Sequence, residues 1–256
     1  MATFDPYVRK VADWVERRVC RGGLIREFDA EDPGGELLAA IPESAGSAGG
    51  GGIVLQRDTF VELGSPRAGS CAFPLCTDDP SLVRDGRITL IGPGIQASPG
   101  ASLPFGQVLL AAGPALTDAD FAELEQAQYL AGRIEGYMIR STPGRMWSRV
   151  SRGAAKAGFD FELLGRALIG SFKSRLPGIE AMQVLFVTSS REDLSELQEI
   201  AEQVRTIGRH VASETWRARG IDLECSLGVD CKSCDDKPAC DDIRDVVRIR
   251  KQRVDA

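Results

Sequence analysis

The chain is 256 residues long, with a formal net charge of -6, 43% hydrophobic residues and 27% charged residues. That length can bury a full core and hold one large or two modest domains without disulfides, and the ordinary composition, with no apolar run of membrane-span length, predicts a soluble globular protein that spans no membrane. The acidic balance argues against a general nucleic-acid binder, although arginine-rich stretches can still hold a phosphorylated ligand locally.

The opening "MATFDPYVRKVADWVERRV" is charged and periodic where a signal peptide would carry an apolar block, which predicts a cytoplasmic location. In that compartment clustered thiols hold metal more often than they form disulfides. Tyr7, Val8, Val11, Trp14, Val15 and Val19 recur at helical spacing, so residues 6–20 read as an amphipathic helix begun by Asp5-Pro6. The run "ESAGSAGGGGI" (43–53) is too glycine-rich to offset its own ordering entropy, and residues 1–52 read as a helical N-terminal arm with a Gly-rich connector. Beyond it, "GIVLQRDTFVELG" and "GRITLIGPGI" are β-rich and punctuated by Gly and Pro, as strands joined by tight turns would be.

From Thr117 the pattern turns helical. Thr117 and Asp120 make a capping-box-like start, and Phe121, Leu124, Ile134 and Met138 recur on one face until Pro143-Gly144 breaks it. A second helix is expected over 147–157, and a third opens at Asp160 with Phe161, Leu164, Leu168 and Phe172 on one stripe. "AMQVLFVTSS" suits a strand buried on both faces. A helix capped by Ser190 follows, with Leu194, Leu197, Ile200, Val204 and Ile207 inward and Gly208 as its stop. Strand and helix make a βα unit, so residues 53–215 are expected to form an α/β (or α+β) domain, a mixed sheet with flanking helices.

The remaining segment, 216–256, holds Cys225, Cys231, Cys234 and Cys240 as C-x5-C-x2-C-x5-C within sixteen residues. Four thiols so close, two of them a CxxC pair, fit a small four-cysteine metal-binding tail in which metal charge stabilises each thiolate. Only the central pair has zinc-knuckle spacing, which favours a [4Fe–4S] cluster, with zinc as the alternative. Cys240 opens an expected helix over 241–253 that is acidic at its start and basic at its end, matching the macrodipole. Cys20, Cys71 and Cys76 are scattered and read as small buried hydrophobes, with further ligation by Cys71 and Cys76 as the alternative. His210, the sole histidine, is expected just past a helix end in a structural role, which leaves no His-based hydrolase or protease site.

One other stretch gathers chemistry: Arg140, Arg145, Arg149 and Arg152 surround Trp147. Guanidinium groups pair with phosphates through forked hydrogen bonds and an indole stacks on a purine, so the set could hold a nucleotide-tailed ligand; equally, the arginines could form a solvated face beside a core tryptophan. No dinucleotide fingerprint or P-loop occurs.

Several stretches carry a family resemblance. "DTFVELGSPRAGSCAF", "VRDGRITLIGPGI" and the run from "RIEGYM" through "MWSRVS" to "MQVLFVTSS" resemble the acetyl-CoA synthase (β) subunit of the CO dehydrogenase/acetyl-CoA synthase complex, over about residues 53–210, in the order of that family's middle domain. The resemblance implies one-carbon and acyl-CoA metabolism in an anaerobe: acetyl-CoA made or cleaved from a corrinoid-borne methyl group, carbon monoxide and coenzyme A. It also implies a CoA site in which Trp147 and Arg149 fall in the matching segment, with Arg140, Arg145 and Arg152 following by proximity. The family's outer nickel requires Cys-Gly-Cys, whose two thiolates and two backbone nitrogens form a square plane, and that tripeptide is absent here, so no nickel site of the known type is expected. The leading expectation is therefore an iron–sulfur relative, catalytic only with a partner such as CO dehydrogenase or a corrinoid protein and handling a CoA thioester. If an enzyme, it would be a component of a CO-methylating acetyl-CoA synthase-like or acyl-CoA-related transferase. The alternative is a non-catalytic docking or assembly protein with a structural zinc or iron–sulfur site.

Overall fold

The computed structural model describes residues 4–30, 53–127, 136–142 and 145–218. Its contacts divide the chain into a unit of Met1–Ile207 and one of Gly208–Ala256. The first unit is built on two sheets. Helix α1 (Asp5–Cys20) and strand β1 (Ile25–Asp29) precede β2 (Thr59–Leu63), β3 (Ser70–Thr77), β4 (Arg87–Ile91), β5 (Ser102–Leu103) and β6 (Phe105–Ala112). Helix α2 (Asp118–Ala127), β7 (Tyr137–Thr142), β8 (Arg145–Ser151), α3 (Arg152–Lys156), α4 (Phe161–Arg175), β9 (Ala181–Val187) and α5 (Arg191–Ala218) follow.

The larger sheet has five strands in the order β1-β4-β9-β6-β3. β9 is its centre, parallel to β4 and antiparallel to β6. Its position follows from its sequence: "AMQVLFV" offers no polar face, so only a strand covered on both sides suits it. Phe186 packs against Phe161 of α4 with ring centroids 5.0 Å apart. On the opposite face the neighbouring Val187 lies beside Gly106 of β6, where Leu194 of α5 closes in. β3 is an edge strand, which accommodates Pro74, a residue unable to donate to a ladder. That proline also hides β3 from a pattern reading, and β6 is hidden likewise because "FGQVLLAA" lacks alternation.

The flanking helices begin where their caps dictate. Asp160 Oδ1 accepts from Leu163 N at 2.8 Å to start α4, and Ser190 Oγ accepts from Asp193 N at 3.1 Å to start α5. Thr117 and Asp120 exchange hydrogen bonds at the head of α2, as expected. The N-terminal helix buries Val8, Val11 and Trp14. Asp5 Oδ1 at its start accepts from Thr77 Oγ1 of β3 at 2.6 Å, and Phe4 stacks on Phe121 of α2 at 4.8 Å. The segment after α1 supplies β1, so the N-terminal residues contribute a strand of the main sheet as well as a helix.

Four strands make the smaller sheet, ordered β5-β2-β8-β7. Here the structure corrects two helical expectations. Met138 lies on β7, and the expected helix over 147–157 is instead β8 followed by the short α3; Ile134 falls outside the described residues. The reason is visible in "RMWSRVS": Met146, Ser148 and Val150 are fully buried while Arg145, Trp147 and Arg149 point the other way, a period of two rather than 3.6. β7 and β8 pair antiparallel on either side of Pro143-Gly144. A third correction concerns α5, whose helical backbone passes Gly208 and reaches Ala218, so His210 lies within the helix. An interior glycine costs about 1 kcal/mol relative to alanine, which a long amphipathic helix can absorb.

Two glycines of the "VELG" and "LIGPG" motifs join these layers. Gly64, at φ 69°, ends β2 where a Cβ would stand 2.3 Å from the carbonyl oxygen of Met146. Gly92, at φ 112°, follows β4 with a Cβ position only 2.5 Å from Ser189 N. Both combine a left-handed backbone with a backbone neighbour that cannot yield.

Candidate functional site

Strand alternation sorts β7 and β8 into two faces. Tyr137, Met146, Ser148 and Val150 turn to the core, where Tyr137 Oη and Ser148 Oγ lie 3.3 Å apart. The other face carries Arg145, Trp147 and Arg149 of β8. Arg140 of β7 stands directly across from Trp147, and Glu62 of β2 directly across from Arg149. Four of the five arginine and tryptophan positions singled out in the sequence therefore share one face.

Their states differ. Arg140 and Arg145 are exposed, and neither has a carboxylate partner among the described residues. Arg149 is paired: its Nε–H donates to Glu62 Oε1 at 3.1 Å, its Nη1–H to the Val54 carbonyl at 3.4 Å, and its guanidinium lies 4.7 Å over the Trp147 ring. Trp147 Nε1–H donates to the same Glu62 oxygen at 3.1 Å. The second oxygen, Oε2, accepts from Ser102 Oγ–H at 3.3 Å, and because that proton is committed, Ser65 Oγ–H donates into Ser102 Oγ at 2.9 Å. A single carboxylate on β2 thus gathers the indole and guanidinium of β8 and a serine relay from β5 and the loop after β2.

Arg152 is the exception. As the first residue of α3 it leaves the strand face and lines a separate cleft of about 510 Å³ with Thr59, Phe60, Gln96, Pro99 and Lys156. Gln96 Nε2 spans that cleft's wall, donating to the Ala155 and Phe159 carbonyls at 2.8 and 3.3 Å. A second concavity of about 630 Å³ lies on the other side of α3, between Ile53, Asp58, Gly136 and Ser151. Trp147 lines neither cleft.

Cys225, Cys231, Cys234 and Cys240 lie outside the described residues. Among the described residues no cluster of His, Cys, Asp or Glu could hold a metal ion. Cys71 and Cys76 are both fully buried in β3, and burial pushes the Cys71 thiol up to about 12 against the opposing pull of Arg205 and Arg145, so both behave as core residues; Cys20, in contrast to its expected burial, is exposed. Glu62 is the site residue that the sequence reading missed. The signal available was its place in "VELG", an acid between two inward-facing apolar residues, Val61 and Leu63. Among the described residues no helix is long and apolar enough to cross a membrane.

Residues 41–193 match the family model described as CO dehydrogenase/acetyl-CoA synthase complex beta subunit. The acetyl-CoA decarbonylase/synthase complex subunit beta of Methanothermobacter thermautotrophicus is 29% identical over 171 residues, covering 66% of this chain and 36% of the relative. That of Methanopyrus kandleri is 29% identical over 191 residues, covering 73% of this chain and 39% of the relative. Subunit beta 2 of Methanosarcina thermophila is 29% identical over 153 residues, or 58% of this chain and 32% of its own length. The match spans about a third of the length of these curated relatives. It takes in β2, β8, Glu62, Trp147 and the four arginines, and the chain belongs to the CO dehydrogenase/acetyl-CoA synthase complex beta-subunit family.

Proposed function

We propose that this protein binds coenzyme A on the outer face of the β2-β8-β7 sheet and serves acetyl-CoA or related one-carbon chemistry as a component that acts with a CO dehydrogenase or corrinoid partner. The observation that carries the reading is the gathering of Arg140, Arg145, Trp147 and Arg149 on one face of a chain of this family. Guanidinium groups and an indole suit the phosphates and adenine of CoA. The 256 residues contain no Cys-Gly-Cys, and so no square-planar nickel site of the family's known kind, which is why a partner belongs to the proposal.

The cysteine tail completes it as an iron–sulfur protein. Cys225, Cys231, Cys234 and Cys240 supply a donor set of four thiolates, the complement of one [4Fe–4S] cluster, and the five-residue outer spacings suit a cluster better than a zinc knuckle. Such a centre would give the tail a stabilising core that its own few apolar residues do not provide.

A second reading, a docking face for a protein partner, draws on the exposed Arg140 and Arg145 and on Trp147, which lines neither of the two clefts. Calorimetric titration of CoA into the anaerobically purified chain separates the two. Saturable binding that Trp147→Ala weakens at least about tenfold, the scale of losing a stacked ring, supports the CoA site; absence of binding to the intact chain favours the docking face.

A further inference from the structure

Arg149 lies nearest Trp147, yet its charge is already met. Glu62, directly across the β2-β8 ladder, takes its Nε–H at 3.1 Å and the Trp147 Nε1–H at the same distance, and the guanidinium rests 4.7 Å over the indole. The ion pair is largely shielded, with the Arg149 and Glu62 side chains 19% and 24% exposed. Ser102 Oγ–H fixes the remaining Glu62 oxygen, so the carboxylate is held from both ends. Arg140, across from Trp147, and Arg145, two residues before it on the same face, are exposed and without a carboxylate among the described residues.

We propose that Glu62 is a positioning residue that neutralises Arg149 and clamps its guanidinium on the Trp147 ring, leaving Arg140 and Arg145 to receive the anionic groups of a ligand on this face. The proposal rests on the CoA-binding reading and divides the labour within it. Arg149, Trp147 and Glu62 form an electrically balanced platform whose indole has one ring face already covered, so a planar group reaches the exposed edge or the other face. Arg140 and Arg145 carry the unmatched charge that draws phosphates, and their contribution falls with salt.

Four proteins titrated with CoA at low and high salt test this: the unaltered chain, Glu62→Gln, Arg149→Gln and the double variant Arg140→Gln/Arg145→Gln. The amide oxygen of Glu62→Gln still accepts from Trp147 and Arg149, so the fold and the clamp geometry persist while Arg149 loses its counter-charge. That variant should bind CoA about threefold more tightly at low salt, with a steeper salt dependence, as one more effective cation requires. The double variant should bind about tenfold more weakly and lose most of the salt dependence. Arg149→Gln should change the tryptophan fluorescence and, by leaving Glu62 without its counter-charge, weaken CoA binding and lower the salt dependence by about one charge, less than the double variant does. Weaker or unchanged CoA binding by Glu62→Gln, or a salt dependence that vanishes with Arg149→Gln rather than with the double variant, overturns the division of labour while leaving the CoA site standing. Failure of the unaltered chain to bind CoA removes both.

Discussion

At the scale of single residues, position in the ladder decides what a side chain can do. Trp147 and Arg149 stand out in sequence because indole and guanidinium are chemically conspicuous, whereas Glu62 is one acid among 37 acidic residues and becomes notable only when β2 and β8 pair and set it opposite Arg149. Partnership across a ladder between residues 87 apart has no local signature. Gly64 is the opposite case, a residue whose motif was legible and whose reason is steric. Gly64→Ala forces a Cβ into the Met146 carbonyl at a left-handed φ, and should destabilise the protein by about 2–4 kcal/mol, read by urea unfolding. Cys71 makes a prediction about pH. Burial raises its thiol from the ordinary value of 9.0 to about 12, and burial also raises Cys76 and Tyr137. An unfolded thiol loses its proton near 9 while the folded one keeps it, so the contribution is fully present below about 9 and is lost as pH rises towards 12. Unfolding free energies measured from pH 8 to about 11 should decline with pH, and Cys71→Ala should flatten part of that decline.

Among the elements, helices with caps and strands with an unbroken apolar run were legible: α1, α4 and β9 lie where Pro6, Asp160 and "AMQVLFV" put them. β8 was not, because a seven-residue strand holding three arginine and tryptophan positions on the side away from the core also satisfies a helical count if the alternation of Met146, Ser148 and Val150 is overlooked. The continuation of α5 past Gly208 was hidden for another reason, since glycine's helix cost is small against the burial of Leu194, Leu197, Ala201 and Val204 along the same stripe. Helix docking rests on a charge clamp as well as on apolar area. Arg18 of α1 is buried over Trp14 and donates from Nε to Asp193 and from Nη2 to Glu196 of α5, both at 2.6 Å. Arg18→Ala removes the cation and leaves Asp193, a largely buried carboxylate, without it. The expected cost is about 3 kcal/mol, and Arg18→Met, which keeps the packing over Trp14, should recover only part of it in the same unfolding assay.

For the whole molecule, the two-sheet unit brings the family's motifs into one structural setting: "VELG" supplies β2 and the Gly64 turn, "GYM" enters β7, and "MWSRVS" is β8. The cysteine tail is a separate chemical proposition. Iron and acid-labile sulfide near four of each per chain, in protein made and kept without oxygen, are expected, and Ser at any one of Cys225, Cys231, Cys234 or Cys240 should abolish the visible absorbance; stoichiometric zinc without sulfide would replace the cluster with a zinc site. Hydrogen–deuterium exchange of the intact chain with and without CoA shows whether the outer face of the smaller sheet is the CoA site. CoA seated on that face slows exchange in 137–151 and leaves 95–100 and 152–157, which border the Arg152 cleft, unchanged. Protection confined to 95–100 and 152–157, or to no segment at all, would contradict it.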